Sequence, residues 1–115
     1  MNLDTQLQYI ANQNAKKQEA DQTLGFSISK IIIDGPKEKL DLTENTQPAI
    51  FLISYSIFKL MKNDFNIDLN KANFFAGHSL GEYSALASAG SLSFSDTLKI
   101  LKIRGNAMQN SVPKG

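Results

Sequence analysis

"FFAGHSLGEYSAL", residues 74–86, decides how the rest of this chain is read. It contains Gly77-His78-Ser79-Leu80-Gly81, a G-x-S-x-G pentapeptide between an apolar run and a small-residue run with helical character. A serine hydroxyl is a weak nucleophile unless it is exposed, oriented and close to a base. A sharp turn from a buried strand into a helix meets the first two needs, because it holds the serine in a strained conformation with its oxygen pointing outward. The spacing therefore predicts a short buried parallel strand over "ANFFAG", residues 72–77, then the turn, then a helix over residues 80–89 ending at Gly90. Gly77 and Gly81 are expected to be glycine because a side chain at either place would collide across so tight a turn. The helix start aims free N–H groups and a positive dipole end at the reacting oxygen, with the Leu80 N–H as one oxyanion donor. The competing reading is a glycine-rich turn kept for packing alone.

The base is the difficulty. His78 is the only histidine in the chain. Adjacent side chains on extended backbone point to opposite sides, so His78 is expected to be an elbow-structural residue and not the partner of Ser79. Arg104 lies on a second predicted helix, opened by Ser93 with Asp96 placed as in a capping box, lined by Phe94, Leu98, Leu101 and Met108, and ended by Pro113. Arg104 reads either as a surface arginine or as a planar fork that grips a substrate carboxylate. Gly105 beside it would admit a close backbone approach. Gln47 reads either as polar surface at a helix start or as a residue that reaches the site. Glu82 suits the first turn of a helix, and Tyr83 is assigned to packing.

Outward from the site, the pattern is mostly helical. Leu3, Leu7 and Ile10 open a predicted helix over residues 3–22. Ile31-Ile32-Ile33 fits either a buried strand or a short helix closed by Gly35-Pro36, with Ser27 or Ser29 as cap. "KEKLDLTEN" reads as a polar connection. "TQPAIFLISYSIFKLMKN" reads as a helix with Thr46 as N-cap and Pro48 in its first turn. Its broad face of Ala49, Ile50, Ile53, Ile57, Leu60 and Met61 implies burial on more than one side. "NDFNIDLNK" reads as a loop. The fold class is α/β: an incomplete piece of an α/β-hydrolase-like core, mostly helical, with one short parallel strand entering the elbow.

The chain has 115 residues, enough for one domain or part of one. Twelve basic residues against eleven acidic ones give a net charge of +1, which makes no case for a nucleic-acid or membrane-surface partner. There is no cysteine, so disulfides, thiolate metal sites and a cysteine nucleophile are excluded. No metal site is expected. The N-terminus lacks the pattern of a signal peptide, and the cytoplasm is the expected compartment.

"GHSLGEYSALASAG", with "TENTQPA" upstream and "RGNAMQ" downstream, closely resembles the malonyl-CoA:acyl-carrier-protein transacylases of fatty-acid synthesis. The resemblance runs over about residues 15–115, with the segments in family order. It implies Ser79 as the acyl-carrying nucleophile, the Leu80 N–H as an oxyanion donor, Arg104 as the grip on the malonyl carboxylate, and Gln47 as a substrate-site residue. It implies malonyl-CoA and acyl carrier protein as partners and no cofactor, the CoA thioester being the substrate. Family members also carry an upstream G-Q-G-S-Q loop, a ferredoxin-like subdomain and a catalytic histidine beyond the region matched here. The 115 residues are therefore expected to be a partial acyltransferase domain, inactive alone. Two other readings stand beside it: an acyltransferase domain of polyketide synthesis, and a serine esterase of the α/β-hydrolase type.

Overall fold

The computed structural model describes residues 16–111, and these are organised as helices joined by short turns, apart from one long connection over residues 64–80. They are α1 (residues 16–24), α2 (Ile28–Asp34), α3 (Lys37–Asp41), α4 (Thr43–Asn63), α5 (Gly81–Ser88) and α6 (Phe94–Ser111), with a single 3-10 turn at Leu69–Lys71. The predicted apolar stripe of Leu3, Leu7 and Ile10, and the stop at Pro113, lie outside the described residues.

The isoleucine run resolves as helix. Ile28 is fully buried, while Ile33 is 63% exposed, a split that a helix produces and a buried strand would not. Ser27 stands at the N-cap position, but neither it nor Ser29 caps the helix. Asp21 does so from α1, accepting from the Ser29 N–H at 3.0 Å and the Ser29 hydroxyl at 2.6 Å. Gly35 closes the helix at φ +76°, its N–H donating to the Ile31 carbonyl at 3.0 Å.

The polar connection "KEKLDLTEN" is not a connection. It forms α3 and the start of α4, so α4 begins at Thr43, with Leu42 at its N-cap. Thr46 is inside the helix, and its hydroxyl donates backwards to the Leu42 carbonyl at 2.9 Å and to the Leu40 carbonyl. The Asn45 amide donates to the Lys39 carbonyl at 2.8 Å. These two side chains satisfy carbonyls that the end of α3 would otherwise leave open, which is why a polar residue such as Asn45 is buried there. Pro48 consequently sits past the first turn of α4, in its interior.

The buried face of α4 is the predicted one only in part: Ala49 is 3% exposed and Leu60 and Met61 are half-buried, but the isoleucines are not covered. Phe51, Leu52 and Tyr55 are buried, whereas Ile50, Ile53 and Ile57 are 44%, 47% and 50% exposed. The core lies between α4 and α6. Phe51, Tyr55 and Phe94 form an aromatic triad with ring centroids 5.0–5.6 Å apart, and Leu98 and Leu101 fill in behind it. Met108, expected on the same side as Leu98 and Leu101, is 43% exposed. Helix α6 starts as predicted, with the Ser93 hydroxyl accepting from the Asp96 N–H at 3.1 Å. Gly105 is buried where α6 crosses the start of α4. A Cβ there would lie 2.5 Å from the Glu44 Cα and 2.8 Å from the Thr43 carbonyl oxygen, so the absence of a side chain sets how closely the helices approach.

The α/β expectation fails at its strand. Residues 72–77 do not form one, and no strand is present among the described residues. A strand needs a neighbour to accept and donate its ladder hydrogen bonds, and none of the described elements supplies one. Phe74 is 89% exposed, while Phe75 rests edge-on against Phe58.

Candidate active site

The elbow is built by the residues that follow the apolar run. Ser79 has φ +57°, in the left-handed region that non-glycine residues rarely occupy. Its neighbours close a tight turn: the Gly81 N–H donates to the His78 carbonyl at 2.9 Å, and the Glu82 N–H to the Ser79 carbonyl at 3.1 Å. A Cβ on Gly77 would fall onto the Gly81 carbonyl, so the turn requires glycine there. Gly81 is different. A Cβ on it would meet nothing within 4 Å, so the expected collision does not occur among the described residues. Helix α5 then runs to Ser88, and Gly90 at φ +85° turns the chain toward α6.

Leu80 occupies the N-cap of α5, and its N–H enters none of the turn hydrogen bonds among the described residues. Glu82 lies in the first turn of α5, exposed. His78 lines a cavity with Ile50, Phe58, Phe75 and Gly77, on whose walls neither Ser79 nor Arg104 appears. Among the described residues no hydrogen bond joins His78 to Ser79.

Arg104 reaches the elbow from α6. One terminal nitrogen donates to the Ser79 Oγ at 3.1 Å, and the other to the Gln47 Oε1 at 2.5 Å. Its guanidinium carbon lies 5.6 Å from the centre of the Tyr83 ring. Three helices therefore converge on one cation: α4 through Gln47, α5 through Tyr83 and the elbow, and α6 through Arg104 itself. Gln47 is 3% exposed, and its amide nitrogen donates to the Thr43 hydroxyl at 3.1 Å and to the Met108 Sδ at 3.3 Å. The Gln109 side chain accepts from the Thr43 N–H at 3.0 Å, tying the first residue of α4 to the end of α6.

The structure thus brings Ser79, Arg104 and Gln47 together through hydrogen bonds, with Leu80 next to Ser79 in the chain, while Leu80 and His78 both line the neighbouring cavity. Sequence reasoning missed Thr43 and Gln109. The Thr43–Gln47 spacing is one helical turn, a readable signal once the helix start is placed correctly. Gln109 is 66 positions from Thr43, and nothing local announces that pairing. Among the described residues no group of His, Cys, Asp and Glu is arranged to hold a metal ion, and no helix is long and apolar enough to cross a membrane.

An exposed serine on a strained elbow, touched by an arginine held on a buried amide, is an arrangement suited to capturing an acyl group. The acyl transferase domain family model matches residues 4–115. The chain belongs to that family. It is 42% identical over 97 residues to the malonyl CoA-acyl carrier protein transacylase of Haemophilus influenzae, covering 84% of this chain and 30% of that relative. It is 43% identical over 97 residues to the enzyme of the same name from Bacillus subtilis strain 168, covering 84% of this chain and 29% of that relative. Among solved structures, the acyl-carrier-protein S-malonyltransferase of Bartonella henselae superposes with a TM-score of 0.83 at 42% identity, over 90% of this chain and 33% of that one. The chain therefore spans about 30% of the length of the curated relatives it matches.

Proposed function

We propose that this chain is the nucleophile-bearing part of a malonyl-CoA:acyl-carrier-protein transacylase, an acyltransferase of fatty-acid synthesis. The observation that carries the reading is the 3.1 Å contact between the Arg104 guanidinium and the Oγ of Ser79 on its elbow. In the proposed reaction the Ser79 oxygen attacks the thioester carbonyl of malonyl-CoA and gives up its proton to a base. The Leu80 N–H, at the start of α5, donates to the developing oxyanion. The C–S bond breaks, CoA leaves as the thiol, and the malonyl group stays on Ser79 as an ester. The phosphopantetheine thiol of acyl carrier protein then takes the malonyl group and restores the serine. No cofactor enters either half-reaction.

Arg104 gives the site its selectivity for a carboxylated acyl group. Its fork suits a carboxylate, and an acetyl group would leave the guanidinium with no anion to bind. His78 is not assigned as the base: among the described residues no hydrogen bond joins it to Ser79, and Arg104 is the side chain that contacts the Ser79 Oγ. The base is assigned to a residue outside residues 16–111.

The second reading, a malonyl transfer that serves polyketide synthesis, has specific support. The polyketide biosynthesis protein ThaF of Burkholderia thailandensis is 39% identical over 89 residues. One matching structure is of a type II PKS acyl-carrier protein in complex with its malonyl-transacylase, with a TM-score of 0.82 at 34% identity. The same Ser79 chemistry serves both, and they differ in the carrier protein that accepts the group.

The test joins this chain, in place of the matching third, to the remainder of the Haemophilus influenzae relative and incubates it with malonyl-CoA. Intact-mass analysis should find a gain of about 86 Da, the mass of one malonyl ester, on Ser79. The gain should be lost in Ser79→Ala and discharged by holo acyl carrier protein. Discharge to water at the same rate with or without carrier protein would assign the site to an esterase instead.

A further inference from the structure

We propose that Gln47 is a positioning residue that holds Arg104 while leaving its charge uncompensated, and that Thr43 and Met108 set the orientation of the Gln47 amide. This rests on the reading that Arg104 binds the acyl carboxylate. Gln47 is 3% exposed, so its amide has little surface to offer a substrate. Its oxygen is already engaged by Arg104 at 2.5 Å. Its nitrogen is engaged by the Thr43 hydroxyl at 3.1 Å and the Met108 Sδ at 3.3 Å.

The chemistry of the amide makes this arrangement specific. An amide has one accepting end and one donating end, and Arg104 only donates. If the amide flipped, its NH2 group would face the guanidinium, two donors against each other. Met108 presents an acceptor to the nitrogen, the Thr43 hydroxyl can accept from it, and Arg104 can only donate, so the orientation that turns the oxygen to Arg104 is the one that satisfies all three. Thr43 is itself anchored, its N–H held by the Gln109 side chain at 3.0 Å.

Neutrality is the second half of the inference. A glutamate at position 47 has nearly the same shape and would hold the arginine more strongly. It would also cancel the charge that an incoming carboxylate needs. A carboxylate in that place would have no N–H for the Met108 sulfur, and its charge would draw the guanidinium toward α4. A neutral acceptor fixes one edge of the fork and leaves the guanidinium charge, and the N–H groups turned to Ser79, for the substrate.

The test uses the joined protein described above and reads the ratio of Ser79 acylation rates from malonyl-CoA and acetyl-CoA. Gln47→Glu should lower the malonyl-to-acetyl ratio on the order of 100-fold. Gln47→Ala should lower it less, roughly 10-fold, because the charge survives while its position loosens. Thr43→Val should lower it a few-fold and Thr43→Ser should restore it. An unchanged ratio in Gln47→Glu, or equal losses with both thioesters, would overturn the proposal. A wild-type protein without malonyl preference would instead overturn the carboxylate reading of Arg104. Should the joined variants not fold, the Arg104 side-chain N–H resonances are followed by NMR in the 115-residue chain itself. They should be protected from solvent exchange in the wild type and in Gln47→Glu and unprotected in Gln47→Ala; equal protection in all three would overturn the proposal.

Discussion

The α4–α6 seam and the elbow at residues 77–81 are joined by the Arg104–Ser79 hydrogen bond, yet they are built by opposite means. The seam is closely packed: Phe51, Leu98 and Leu101 are fully buried, and Gly105 lets α6 touch the backbone of α4. The elbow is exposed, holds Ser79 at φ +57°, and follows a run whose Phe74 is almost wholly in solvent. The seam therefore carries the stability, while the elbow carries strain. Arg104 links the two, rooted in the seam and donating to the elbow. The cation can be placed firmly because the strained serine is not asked to hold it.

Substitutions break or sharpen this contrast in a definite order. The largest effect belongs to Phe51→Ala, which removes the centre of the aromatic triad and should cost about 3–5 kcal/mol of unfolding free energy. A urea titration followed by far-UV circular dichroism measures it, and a loss below about 1 kcal/mol would mean the seam is not the core. Gly105→Ala comes next. Its Cβ would lie 2.5 Å from the backbone of Glu44, and the forced separation of the helices should cost about 1–3 kcal/mol in the same titration. The smallest effect has the opposite sign. Ser79→Gly releases a left-handed residue and should stabilise the chain by about 0.5–1 kcal/mol, although it removes the nucleophile. A clear destabilisation by Ser79→Gly would show that the Arg104–Ser79 bond supports the fold, and the contrast between the regions would fail.

Much of the local structure was legible along the chain. The elbow spacing pointed to Ser79, the end of α5 was announced by Gly90, and the start of α6 by Ser93 with Asp96. The errors share a physical cause. Thr46-Gln-Pro48 looked like a helix start because a threonine cap and an early proline are local signals. The real start lies upstream because Asn45 and Thr46 satisfy the open carbonyls of α3, an arrangement that exists only once the two helices are packed. The strand over residues 72–77 was read from an apolar run, but a strand is defined by its neighbour, and none lies among the described residues. The apolar stripe of Ile50, Ile53 and Ile57 was read as buried for the same reason: hydrophobicity marks a face as able to be covered, not which face α6 covers.

The sequence by itself determined the chemistry available: one serine on a turn that needs glycine at position 77, one arginine on a helix, one histidine adjacent to the serine, and no thiol. These follow from residue type and spacing within a few positions, where backbone geometry leaves little choice. Only the tertiary structure decided how they combine. It put Arg104 rather than His78 beside Ser79, and it turned Gln47 inward to hold the arginine. Those pairings span 25 and 57 positions, and they exist because α4 and α6 pack closely at Gly105.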